Sequence, residues 1–154
     1  MQIHFRVTSG TEIDLITHLR IDFVRDLHPE FDEQQIAILS DKTREYLQNA
    51  YRSDSFIGII GEVADEAVCC AGILCYDLPP ISDEIRKTGH ILNFFTYPLH
   101  RRRGYARKMM SFIIAYAKQE GFERLFLNAC PMAEGLYRQF GFSEQSEKAL
   151  VLKL

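Results

Sequence analysis

The chain of 154 residues contains no uninterrupted apolar stretch of the eighteen or so residues that a membrane span requires. It also has no basic segment followed by an apolar one, the mark of a secretory leader. Neither membrane association nor export is expected, and the cytosol is the expected compartment. Excess positive charge is missing as well, since 21 acidic against 18 basic side chains leave a net charge of −3. General nucleic-acid binding, which rests on neutralising many phosphates, does not fit that balance. Cysteine is scarce and badly spaced for a metal. Cys69, Cys70, Cys75 and Cys130 form no Cys-x-x-Cys pair and have no accompanying histidine spacing, so no metal is expected. The thiols are read as reduced and mostly buried. A catalytic Cys130, near the end of an expected strand, is the weaker reading. Internal repeats and low-complexity tracts are also lacking.

What is present suits one domain over residues 1–154. Apolar residues make up 47% and charged residues 25%, enough for a substantial core. Ile3 to Val7 alternate as a first strand, and Thr8-Ser9-Gly10-Thr11 supplies turn and capping chemistry. Ile13, Ile16, Leu19 and Phe23 then recur at helical spacing through Leu27, and His28-Pro29 ends that helix. A second helix is expected from about Asp32 to Arg52, with a break near Ser40-Asp41 as an option. Ser55 to Val63 and Ala67 to Tyr76 read as a hairpin across Ala64-Asp65-Glu66. Ile81 to Thr88 reads as a surface loop. His90 to Thr96 is nearly continuously apolar, as a strand buried on both faces would be. A helix from Gly104 to Glu120 follows, with Ala106, Met110, Ile113 and Ala117 as its apolar stripe and Gly121 as its stop. Arg124 to Ala129 reads as a strand, Met132 to Phe140 as a short helix after Pro131, and Lys148 to Leu154 as a final strand.

The most informative stretch lies between the central strand and the helix after it. The apolar run stops at Pro98, three arginines follow, and Gly104 precedes the amphipathic helix. At a helix start several backbone N–H groups lack an acceptor, and the macrodipole adds about half a positive charge. Phosphates suit such a place, and glycine lets backbone approach them closely. A solvated, solubilising turn and a nucleic-acid patch are the competing readings.

Arg101-Arg102-Arg103-Gly104-Tyr105-Ala106 resembles motif A of the GNAT superfamily of acyl-CoA-dependent N-acyltransferases, Arg/Gln-x-x-Gly-x-Gly/Ala. Leu136-Tyr137-Arg138-Gln139-Phe140-Gly141-Phe142 resembles that family's Leu-Tyr-x-x-x-Gly-Phe. The order β-α-α-β-β-β-α-β-α-β is also the family's order. The resemblance implies a mixed α/β fold, with a central sheet of six to seven strands flanked by four helices. It implies acetyl-CoA as cosubstrate, an amine as acceptor and no metal, and is compatible with a homodimer.

By the same resemblance, Phe94, Phe95 and Thr96 offer backbone groups to the pantetheine arm and thioester, and a donor there is worth about 3 kcal/mol to a developing oxyanion. Arg101, Arg102, Arg103, Gly104, Tyr105 and Ala106 hold the diphosphate. Tyr137 corresponds to the tyrosine that assists departure of the thiolate. A phenol near pKa 10 is a weaker acid than a thiol near 8.5, so full transfer is uphill by roughly 2 kcal/mol and hydrogen bonding is the better description. The attacking amine needs a base, since a lysine-like amine is unprotonated only about once in 2,500 molecules at pH 7. His90 stands where some relatives carry a glutamate base. Cys130 stands where the family often has asparagine, which puts one pantetheine contact in doubt. Leu19 to Asp32 and Leu78 to Thr88 are expected to wall the acceptor site; Asp22, Asp26, Glu30, Asp32 and Glu33 read first as a solvated charged face, with attraction of a cationic amine as the alternative. A small-molecule acceptor is favoured over protein lysines or N-termini, and a non-catalytic acyl-CoA sensor is the reading from another class.

Overall fold

The computed structural model describes residues 2–80 and 86–154. A five-stranded sheet carries β1 (His4–Val7), β2 (Phe56–Val63), β3 (Glu66–Leu78), β4 (Arg86–Thr96) and β5 (Arg124–Phe126) in spatial order of their numbers. The first three junctions are antiparallel and β4–β5 is parallel. The helices are α1 (Ile13–Leu27), α2 (Glu33–Arg52), α3 (Tyr105–Gln119) and α4 (Pro131–Gln139).

Local chemistry explains several boundaries. Asp32 and Gln35 form a reciprocal capping box at the start of α2, which runs unbroken through Ser40 and Asp41. Ala64 and Asp65 both take positive φ, 51° and 62°, and so make the two-residue hairpin turn whose twist matches the flanking strands. Gly121 takes φ 74° just beyond α3, as a helix stop does.

The two faces of the sheet are covered by different helices. Ile59, Ile73, Ile91 and Phe94 pack toward α3 and Tyr137 of α4, with Met109, Met110 and Ile113 fully buried between them. Ile60, Cys70 and Phe95 pack instead on Leu19 of α1, while Phe56 and Leu92 meet Ile16 and Leu47 of α1 and α2. Burying each such large apolar side chain contributes about 1.5–3 kcal/mol.

Three expectations need correcting. Lys148 to Leu154 forms no strand, so the sheet has five strands rather than six or seven. A strand needs a partner, and β5 offers an edge of only three residues; Leu150, Val151 and Leu152 remain 92%, 86% and 82% exposed. Part of the expected Ile81 to Thr88 loop, Arg86 to Thr88, is instead the start of β4, paired with Leu78, Asp77 and Tyr76; residues 81–85 lie outside the described residues. Tyr105, not Ala106, is the first residue of α3 buried against the sheet. Among the described residues, no helix is long and apolar enough to cross a membrane.

Candidate active site

β4 is the element on which the site is built. It pairs with β5 only at Thr88–Arg124, Gly89–Leu125 and His90–Phe126. β5 then ends, while β4 continues to Thr96, so its backbone groups beyond His90 have no strand on that side. On the other side, Leu92 pairs with Gly72 and Phe95 with Cys70, leaving Asn93 and Phe94 opposite Ala71 alone. Two residues against one make a β-bulge, and Asn93 takes φ 54° there. A one-residue slip exchanges the faces of everything after it. Phe94 consequently packs with Tyr137 on the α3 face, and Phe95 with Phe23 on the α1 face.

The turn after β4 exposes a helix N-terminus. Pro98–His100 is a short 3-10 turn, Arg102 takes φ 64°, and Gly104 at the N-cap takes φ 76°. No side chain caps α3 and no acidic residue lies in its first turn. A Cβ added at Gly104 would meet no protein atom within 4 Å, so the space beside these amides is open. Tyr105 directs its side chain into the core and holds the helix against the sheet. The three arginines differ. Arg101 is tied inward, its Nε donating to the Thr96 carbonyl at 2.9 Å and its guanidinium paired with Asp26. Arg102 and Arg103 are exposed and make no ion pair among the described residues.

Tyr137 lies on α4, 7% exposed, with Phe94 and Phe142 edge-on to its ring at 5.9 and 6.1 Å. Gly141 ends the helix at φ 92° and lets Phe142 fold back on the tyrosine, which is what the Leu-Tyr-x-x-x-Gly-Phe spacing accomplishes. Burial, with a smaller contribution from Cys130, pushes the Tyr137 hydroxyl above the ordinary phenol pKa. It is therefore a hydrogen-bond donor at neutral pH rather than a source of protons.

His90 is not beside Tyr137. It lies on the face shared by Leu92, stacked on Phe126 at 4.1 Å, and burial holds its pKa below the ordinary imidazole value. Tyr137 thus lies on the α3 face of β4, and His90 on the face of α1 and α2. Among the cysteines, Cys69 and Cys70 are buried and pushed up to about 12 by desolvation. Cys130 is exposed at the N-cap of α4, immediately before Pro131, rather than in the core as expected. No cluster of three metal-ligating side chains occurs among the described residues.

Facing α1 and α2 is a cleft of about 420 Å³ between those helices and β4. Arg20 and Lys42 line it together with Tyr46, Phe56, Leu92 and Asn93. None of these was singled out from the sequence as a site residue, although Tyr46 reads as part of the apolar side of α2. The available signal was Asn93, a polar, strand-disfavoured residue inside an apolar run. The acidic residues expected to greet a cationic amine are otherwise engaged: Asp22 with the Tyr97 hydroxyl and His18, Asp26 with Arg101, Glu30 with His28, Glu33 with Arg25, and Asp32 as a helix cap.

The family model described as Acetyltransferase (GNAT) family matches residues 14–142. A predicted acetyltransferase from Clostridium acetobutylicum, crystallised with acetyl-CoA, is similar at 24% identity and TM-score 0.79, over 98% of this chain and 96% of that one. A GCN5-related N-acetyltransferase from Ralstonia eutropha JMP134 is similar at 24% identity and TM-score 0.77, over 98% and 99%. The aminoglycoside acetyltransferase HMB0005 from an uncultured soil metagenomic sample gives 20% identity and TM-score 0.74 over the whole of both chains. No curated protein matches the chain.

Proposed function

The chain belongs to the GNAT acetyltransferase family, and from that premise we propose that it transfers the acetyl group of acetyl-CoA directly to the amine of a small molecule. One observation carries this reading: β4 loses its neighbour beyond His90 next to an uncapped helix N-terminus whose Gly104 leaves open space. An extended, amide-bearing arm ending in a diphosphate suits that pair of features. The amides of Arg102 to Ala106 would hold the diphosphate, with the Arg102 and Arg103 guanidinium groups on its outer oxygens. Arg101 braces the turn from within. Of the backbone groups from Phe94 to Thr96, those that face away from β3 would pair with the arm.

The thioester supplies an activated acetyl carbon. Its bond to sulfur breaks as a bond to nitrogen forms; the amine gives up one proton and coenzyme A leaves as the thiol. Tyr137 donates a hydrogen bond to the departing sulfur from the α3 face. His90, neutral because burial disfavours its charged form, accepts the amine's proton on the opposite face, directly or through water. A backbone N–H of the bulged segment stabilises the charge that builds on the thioester oxygen. The recess between α1, α2 and β4 supports a small acceptor, since clefts of several hundred Å³ enclose small molecules.

The test is thiol release from acetyl-CoA across a panel of polyamines, aminoglycosides, amino acids and peptides, beside a thermal scan with and without the cosubstrate. Stabilisation by acetyl-CoA and amine-dependent thiol release are the expected results. Stabilisation with no release for any amine would leave an acyl-CoA sensor in place of the enzyme.

A further inference from the structure

The cleft between α1, α2 and β4 carries two basic side chains beside apolar ones, with Thr43 and Asn93 as uncharged polar members. Arg20 and Lys42 line it, and among the described residues no acidic side chain does. Arg20 is half-buried, and among the described residues its guanidinium has no carboxylate partner. It donates to Asn93 Oδ1 and lies 5.3 Å from the centre of the Phe23 ring. An amide oxygen carries no charge, so among the described residues the half-buried Arg20 has no counter-ion. Burial lowers its pKa, yet a guanidinium stays charged at physiological pH. An anion entering the cleft would supply the missing counter-charge.

Asn93 ties this charge to the reacting centre. The bulge that takes Asn93 and Phe94 out of regular pairing also turns Asn93 toward α1, where it fixes the guanidinium in place. A ligand bound to Arg20 therefore sits beside the β4 segment proposed to hold the thioester. Tyr46, Phe56 and Leu92 offer an apolar wall next to it, and exposed Lys42 adds a second charge at the rim.

We propose that the acceptor is an amine carrying a carboxylate and an apolar body, an α-amino acid by chemical class, with its carboxylate on Arg20. This rests on the acetyltransferase reading and narrows its acceptor. It reverses the charge expected from the acidic residues of α1 and the segment after it, because those side chains are already bound to Tyr97, His18, Arg101, His28 and Arg25. The planar guanidinium fork matches a carboxylate in two-point contact, and the apolar wall takes the side chain.

The experiment uses the full chain with saturating acetyl-CoA and measures thiol release with L-leucine and L-phenylalanine, each beside its amide and its decarboxylated amine, and with spermidine. The amides have the lower amine pKa, so a preference for the acids cannot come from a more available amine. One charge-assisted contact predicts kcat/KM about 10- to 100-fold higher for the acids. Arg20→Gln should abolish that preference, Arg20→Lys should retain part of it, and Lys42→Gln, at an exposed position, should reduce it without affecting folding. Equal or better turnover of the amides, the decarboxylated amines or spermidine would overturn the proposal while leaving the acetyltransferase reading intact. Should no amine release thiol, that reading fails instead, and calorimetric titration of L-phenylalanine into the coenzyme A-loaded protein decides the cleft. Binding that Arg20→Gln weakens about tenfold or more upholds the anion subsite, and no binding overturns it.

Discussion

Gly104→Ala separates the cradle at the start of α3 from an ordinary left-handed turn. An L-residue at φ 76° costs about 1–2 kcal/mol. No clash adds to this, because the new Cβ meets no protein atom within 4 Å. For a chain of 154 residues each kcal/mol lowers Tm by about 2–4 °C, so a fall of roughly 2–8 °C is expected. Gly121 provides a matched control. It has φ 74°, equally open surroundings, and lies beyond the other end of α3, about 22 Å of helix away. Gly121→Ala should show a similar fall in Tm. The two should differ in coenzyme A affinity. In Gly104→Ala the methyl group occupies the space beside the first-turn amides, and loss of one charge-assisted hydrogen bond, about 1.5–3 kcal/mol, weakens binding about 10- to 100-fold. Titration calorimetry of both variants reads the difference. Coenzyme A binding equal to that of Gly121→Ala would show that the turn is not the diphosphate cradle.

Tyr137→Phe should leave coenzyme A affinity within about twofold and lower kcat by about 10- to 100-fold, the loss of one hydrogen bond to a charged sulfur; steady-state kinetics showing unchanged kcat would remove the hydroxyl from the reaction. Arg102→Ala with Arg103→Ala should weaken coenzyme A binding with little change in Tm, whereas Arg101→Ala should chiefly lower Tm, because Arg101 holds Asp26 and the Thr96 carbonyl. The opposite pattern in paired calorimetry and melting data would contradict this division of the three arginines. His90 has a folded pKa depressed below its ordinary value by burial, so its contribution to stability is present above about pH 6.5 and is lost as pH falls through the folded value. His90→Gln should therefore destabilise less than the parent protein on going from pH 7 to pH 5 in urea titrations, and should remove the acidic limb of the kcat/KM profile; a limb that survives the substitution assigns the base elsewhere.

Much of the framework was legible in the residues alone because it depends on local rules. Helical spacing in Ile13 to Leu27, the stop at Gly121 and the glycine before α3 each act within a few positions of the chain. The order of strands and helices followed from these periodicities, and the two family motifs stood in continuous sequence. Contacts made across long separations were another matter. Lys148 to Leu154 has the composition of a strand, but strand formation depends on a neighbouring edge, and β5 is too short to offer one. Arg101 resembles its neighbours in sequence and differs only because Asp26, 75 residues away, folds against it. The engagement of Asp22 and Asp26 was hidden for the same reason, since Tyr97 and Arg101 each lie 75 residues away along the chain.

By itself, the sequence determined which segments coil, which extend, and where a helix begins with bare amides behind a glycine, because those outcomes follow from backbone sterics and side-chain spacing. Only the folded molecule decided which face each residue of β4 presents, since a single bulge at Asn93 exchanges them. It likewise decided which charges remain to meet a ligand. Charges cancel through proximity in space, and Arg20 and Asn93, 73 residues apart, become neighbours only once the sheet and α1 have packed.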